Sequence, residues 1–376
     1  MLAAAGGLLA LAGAPSALSA SVSESVYVTN SNNTISQYAI GAGGALDRNR
    51  TPAAVSGHGV PYALAISPNG RYAYVADDDY AASVGAVAQY SIGVGGLLTP
   101  DANPTVTAGL GPIAIALSPS AGFAYVANED AGTVFEYTVG SGGMLSRTPS
   151  RTFKAGLAPD AIAIAPNGRY LYVLDQFAGT GSQTAGAVEQ FTVAANGAVT
   201  PDATPSVPAG DQPDAITIAP NGRQVYVANF RGAAGVSQYA VGARGMLTPD
   251  RRAAVPAGGA PHGIAISPNG RYVYVATEDG AGSGKNQLGG VSQYTVGAAG
   301  MLTADPTASV KAGYGSFAIA VSPDGKYVYV ANDRTRGSRG VSQFTIGAGG
   351  MLSADHQAAV SAGELPLAIA VAPPRR

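Results

Sequence analysis

The sequence contains no cysteine and no tryptophan. The first absence excludes disulfides, thiolate metal sites and a cysteine nucleophile; the second means that the core is built without the largest side chain. Charge is also scarce. Only 12% of the 376 residues are Asp, Glu, Lys or Arg, and the net charge is -2. No basic field exists to hold nucleic acid or an anionic membrane, so neither is expected as a partner. Long helices are excluded as well, because 52 Gly and 25 Pro punctuate the chain too closely.

One charge-free apolar stretch opens the chain, Met1–Ala14, and the small residues Ser16-Ala17-Leu18-Ser19-Ala20 follow before the first acid, Glu24. Residues 1–20 read as a secretory signal, too short to span a bilayer. No transmembrane segment is expected, and the protein is expected to be exported to the periplasm, the cell surface or the medium. Residues 21–376 then form one domain, expected to be a monomer.

What fills that domain is a repeat. Tyr-Val recurs at Tyr27, Tyr74, Tyr125, Tyr172, Tyr226, Tyr274 and Tyr329, in steps of 47, 51, 47, 54, 48 and 55 residues. The fullest copy is Pro261–Asp279, PHGIAISPNGRYVYVATED: an alternating apolar run, a Pro-Asn-Gly turn and a second β-rich run, the signature of a hairpin. Seven copies at this period indicate a repeat architecture.

Ahead of the Tyr-Val strand stands an inner strand of the type P-x-A-I-A-I-S-P, starting at Pro61, Pro112, Pro159, Pro213, Pro261, Ser316 and Pro366. The two sets are out of phase. The first blade lacks an inner strand, and Pro366–Pro373 has no Tyr-Val strand after it. Pairing Leu367–Val371 beside Val26–Thr29 closes a ring and leaves no exposed edge. The expected fold is therefore all-β: a seven-bladed β-propeller of four-stranded antiparallel blades, closed by the C-terminal strand completing the N-terminal blade. Large residues such as Ile264 and Ile266 alternate with Ala, so neighbouring blades stack large against small.

Short, nearly uncharged turns (Pro-Asn-Gly and Gly-x-x-Gly) fall on one face. The opposite face receives connections of variable length, Asp77–Gly85, Asp175–Gly186 and Thr277–Gly290, and most of the charge, including Asp77-Asp78-Asp79, Glu129-Asp130, Arg231, Glu278-Asp279, Lys285 and Asp333-Arg334. Insertions confined to one face of a repeat protein mark its binding face.

At that face the residue after the first position of each inner strand opens on the central channel: Tyr62, Ile113, Asp160, Asp214, His262, Phe317 and Leu367. Two carboxylates and an imidazole on consecutive blades can activate a water or hold a divalent cation; alternatively, Asp160 and Asp214 are solvated or cap backbone N–H groups. The residues after each Tyr-Val-x, Asn30, Asp77, Asn128, Asp175, Asn229, Thr277 and Asn332, read as a turn device bonding the backbone two residues on. Glu129 and Glu278 come next, as acids beside the mouth or as solvated loop residues. His58 is placed to reach the mouth, and His356 to lie on an outer strand. No Gly-x-Ser-x-Gly elbow or zinc-spaced His pair is present.

Tyr27-Val28-Thr29-Asn30 is the tetrapeptide that names the Tyr-Val-Thr-Asn repeat propellers, and Ser267–Ala276 resembles the repeat of the seven-bladed lactonase family, with its 6-phosphogluconolactonase-like and muconate-cycloisomerase-like members. The resemblance spans residues 26–372. It implies a site at the channel mouth where His, Arg and Glu handle a lactone, and no cofactor. His262 in Pro261-His262-Gly263 and Glu129 in Tyr125–Glu129 match the family's pattern; Glu278 matches with Thr277 in place of Asn. The family's Gly-Pro-Arg-His stretch is absent, so the Arg has to come from a loop, Arg231 or Arg334. Two functions follow. One is an exported propeller binding a small-molecule lactone, a carbohydrate-like ligand or a protein or envelope partner on its loop face. The other is a lactone-ring hydrolase in which His262 or Asp160 activates water, Glu278 or Glu129 orients the base, and Asp214, Tyr62, Phe317, Arg231 and Arg334 bind the ligand.

Overall fold

Each Tyr-Val strand is central to a blade because β-branched and tyrosine residues alternate along it and both of its faces are covered. Tyr72–Asp78, for example, is buried from Ala73 to Asp78. The computed structural model describes residues 24–375 except 49–52, 55–56, 58, 80–83, 179–184, 232–234, 251–253, 280–288, 334–339 and 355–358. Its strands are antiparallel meanders of four, running outward from the channel, as in Val60–Ile66, Tyr72–Asp78, Ala86–Ile92 and Leu98–Thr107 for the second blade.

The ends meet as expected. Strand Pro366–Ala372 pairs antiparallel with Ser25–Asn30, Val371 opposite Val26 and Ala368 opposite Thr29, so the first blade takes its inner strand from the C-terminus. One departure concerns the fourth and fifth blades. A single strand, Val199–Ile218, is the outermost strand of one and the innermost of the next, and the two blades hydrogen-bond as one seven-stranded sheet. Among the described residues no helix is long and apolar enough to cross a membrane.

Seven apolar clusters sit between successive blades, and the last joins Tyr329 and Ala331 of the seventh blade to Val26, Val28 and Tyr38 of the first. Large residues do meet small ones across each seam: Ile115 and Leu117 of the third blade pack on Ala63 and Ala65 of the second. Buried tyrosine hydroxyls add a directional link. Tyr27 donates to Gly96 O in the next blade at 2.6 Å, Tyr172 to Gly245 O at 2.6 Å and Tyr226 to Gly300 O at 2.6 Å. Burial pushes the Tyr27 hydroxyl up to about 12, so it stays protonated and able to donate. A parallel link runs from Gln side chains to the outer strand of the next blade, Gln37 Oε1 accepting from Leu98 N at 2.8 Å and Gln238 Oε1 from Leu302 N at 2.7 Å.

The seam between the third and fourth blades differs. Glu136 stands where the other blades have Gln and pairs with Arg151 at 2.6 Å, and the same Arg151 reaches Asn196 O at 3.4 Å. Tyr125 has a buried hydroxyl without a partner.

Of the residues after Tyr-Val-x, Asp175 shows the expected device, accepting from Phe177 N at 3.3 Å, whereas the Asn positions are structural by a different one. Their side chains are fully buried, and Oδ1 accepts from a glycine N–H just before an inner strand: Asn128 from Gly109, Asn229 from Gly210, Asn332 from Gly313 and Asn30 from Gly363. Burial turns the amide inward, where it ties the end of one strand to the start of the one beside it rather than to the next residue but one.

Candidate functional site

Every inner strand breaks its register at the same place. The paired residues run Pro61 then Ala63, Pro112 then Ala114, Pro159 then Ala161, Pro213 then Ala215, Pro261 then Ile264, Ser316 then Ala318, and Pro366 then Ala368. Each bulge leaves out of the ladder the residue that the sequence places at the channel mouth. A bulge re-aims the side chain it expels, and the seven residues Tyr62, Ile113, Asp160, Asp214, His262, Phe317 and Leu367 all line one cavity of about 300 Å³. At Gln212, Ala260 and Leu365 the residue before the inner strand has φ of 46°, 42° and 41°, a left-handed step that turns the chain onto the bulge.

Three of the bulged residues, with Glu278 at the end of the neighbouring strand, make a hydrogen-bonded chain. His262 Nδ1 lies 2.5 Å from Asp214 Oδ2, and His262 Nε2 lies 3.3 Å from Glu278 Oε2. The four groups are recessed: the side chains of His262, Asp214 and Glu278 are 12%, 19% and 15% exposed. Asp160 hydrogen-bonds Asp214. Burial, then the charges of Asp214 and Glu129, hold the Asp160 carboxyl well above the usual carboxylate range, so it keeps its proton and donates to Asp214. Asp214 thus lies between Asp160 on one side and Nδ1 of His262 on the other. Nε2 faces Glu278.

The imidazole is also clamped on both faces. Phe230 and Phe317 stack against it with ring centroids 4.6 Å away, tilted by 35° and 39°. Gly263 permits this closeness: a Cβ there would lie 2.7 Å from Phe317 O and 3.0 Å from Ile319 N, where the other described inner strands carry mostly Ala. Arg231 extends over the outer face of Phe230 at 5.9 Å and is exposed.

The placement of the expected residues is uneven. Asp160 and Asp214 bond each other, and both line the cavity. Glu129 is not a partner of His262, whose nitrogens are taken by Asp214 and Glu278. Its own carboxyl is raised by burial and by Asp130, Asp78 and Asp214. Arg231 caps an aromatic ring at the rim and does not line the cavity. Arg334, Lys285, His58, His356, the side chain of Asp279 and residues 1–20 lie outside the described residues. Among the described residues no three His, Asp or Glu side chains are placed to hold a metal ion. Sequence reasoning missed Phe230, although a signal existed: at the position after the Asn, Asp or Thr of each blade the others carry Ser31, Asp78, Glu129, Gln176, Glu278 and Asp333, and this one alone is aromatic.

None of the curated proteins matches the chain. Among solved structures, a candidate 6-phosphogluconolactonase of Bacteroides fragilis superimposes with a TM-score of 0.74 at 18% identity, over 95% of this chain and 99% of that one. A periplasmic gluconolactonase of Pseudomonas aeruginosa gives 0.73 at 18% identity, over 93% and 99%. The hydrazine synthase of Kuenenia stuttgartiensis gives 0.59 at 17%, over 87% and 96%. Likeness at this identity extends to the fold, which carries unrelated chemistries. The family model described as "Lactonase, 7-bladed beta-propeller" matches residues 83–229 and 130–282, together more than half of the chain. Architecture and family model agree, and the chain belongs to the seven-bladed β-propeller lactonase family.

Proposed function

We propose that the protein hydrolyses a lactone ring at the channel mouth. The observation that carries this reading is the Asp214–His262 hydrogen bond of 2.5 Å on a histidine that lines the cavity. In that arrangement the carboxylate fixes the ring tautomer and stabilises the imidazolium that forms when Nε2 takes a proton from water. The hydroxide formed adds to the lactone carbonyl, the ring C–O bond breaks, and the departing alkoxide takes the proton back from Nε2, giving a hydroxy acid. Glu278 holds the attacking water beside Nε2.

A second reading, ligand capture without turnover, is favoured by one observation: among the described residues that line the cavity there is no Arg or Lys. A pH-stat assay of the purified protein on a lactone panel separates the two. Turnover that falls at least 100-fold in His262→Ala supports hydrolysis; binding of a lactone with no acid release supports capture. The uncharged apolar opening of the chain supports export, and cell fractionation with a periplasmic marker tests it.

A further inference from the structure

We propose that the substrate is a lactone bearing an apolar arm, an alkyl- or aryl-substituted ring, and not a polyhydroxylated or phosphorylated sugar lactone. This inference rests on the hydrolase reading and concerns what that site admits. The seven bulged side chains divide into two unbroken arcs. Asp160, Asp214 and His262, from the fourth, fifth and sixth blades, hold the polar chemistry. Phe317, Leu367, Tyr62 and Ile113, from the seventh, first, second and third, form an apolar and aromatic wall, continued below by Ile264 and Ile319.

A lactone whose carbonyl faces His262 therefore lays the remainder of its ring against Phe317, Leu367, Tyr62 and Ile113. Methylenes placed there leave water, each raising apparent affinity about fourfold. A sugar lactone carries a hydroxyl on nearly every ring carbon, and those that lie against Phe317, Leu367 and Ile113 lose water to side chains that cannot hydrogen-bond, at a cost of about tenfold or more for each unpaired group. A phosphate is disfavoured further by the carboxylates of Asp214 and Glu278, with no described cation among the lining residues. The cavity of about 300 Å³ is at the small end of ligand pockets, about 300–1,000 Å³, which suits one substituted ring.

The test compares kcat/KM of the full chain on δ-valerolactone, δ-octalactone, dihydrocoumarin, δ-gluconolactone and 6-phospho-δ-gluconolactone, with calorimetric binding of each in parallel. The expected order places δ-octalactone above δ-valerolactone, by up to about sixtyfold for three methylenes, and both sugar lactones at least tenfold below δ-valerolactone. Ile113→Asn and, separately, Tyr62→Ser are expected to erase most of the δ-octalactone advantage while melting as the parent does. Turnover of either sugar lactone at or above the rate of δ-octalactone overturns the inference and leaves the hydrolase reading intact. If no lactone is turned over, the hydrolase reading fails and the binding arm decides: tighter binding of δ-octalactone than of δ-gluconolactone upholds the apolar-arm specificity, and any other result removes it.

Discussion

The hydroxyl of Tyr329, in the last blade, donates to the carbonyl of Gly44, in the first, across 2.9 Å. It repeats, at the point where the ring is sealed, the link that Tyr27, Tyr74, Tyr172, Tyr226 and Tyr274 each make to a glycine of the next blade. Removing the hydroxyl in Tyr329→Phe leaves a buried carbonyl unpaired and is expected to cost about 1–3 kcal/mol of stability. Tyr125→Phe removes a hydroxyl that has no partner and is expected to be neutral or slightly stabilising. Urea denaturation of both variants checks the contrast; equal losses would contradict it.

At the third seam the buried Glu136 is held by the partly exposed Arg151 at 2.6 Å and by the Ser150 hydroxyl at 3.0 Å. Arg151→Met leaves Glu136 with the Ser150 hydroxyl and no cation and is expected to cost about 2 kcal/mol, below the 3–5 kcal/mol of a fully buried pair because Arg151 is itself 38% exposed. The double variant Glu136→Gln/Arg151→Met recreates the glutamine of the other blades and is expected to recover most of the loss. Thermal melts of the single and double variants give the answer, and a double variant no better than the single one would refute it.

For the site, Asp214→Asn is expected to lower kcat by about 10³-fold or more with little change in fold, because the amide no longer fixes the tautomer or stabilises the imidazolium. Phe230→Ala is expected to lower kcat by about tenfold, since the imidazole loses one of its two clamping rings. Far-ultraviolet circular dichroism beside initial rates distinguishes these losses from unfolding.

Stability should depend on pH through Asp160. Its carboxyl binds a proton more tightly in the folded than in the unfolded chain, so the contribution is fully present below the unfolded value of about 3.8 and is lost as pH rises through the raised native value. Asp160→Asn removes that loss. Urea midpoints measured between pH 4 and pH 8 are expected to fall with rising pH in the parent relative to the variant, and parallel curves would rule the assignment out.

The blade count, the out-of-phase ends and the seven mouth positions were all legible in the sequence, because the repeat sets proline, alanine and tyrosine at fixed offsets. The bulges were not. Alternation of large and small residues runs through Ala63-Leu64 or Ala215-Ile216 without marking that Tyr62 or Asp214 has left the ladder; the bulge is set by the pairing with the neighbouring strand. The hydrogen-bonded chain was half visible. His262 and Asp214 stood out as types at matching positions, but that they touch each other depends on two adjacent bulges turning the same way. The link between the fourth and fifth blades was hidden for a related reason: Pro201, Pro205 and Pro208 interrupt the stretch ahead of the inner strand that starts at Pro213, yet the strand Val199–Ile218 tolerates them.

The pairing of Pro366–Ala372 with Ser25–Asn30 sets an order of events during synthesis. The strand that completes the first blade is made after every other strand of the ring, so until it is synthesised Ser25–Asn30 presents an open strand edge to whatever chain is nearby. The nascent protein therefore needs its own tail, or a chaperone holding that edge, before the channel mouth and its histidine are enclosed.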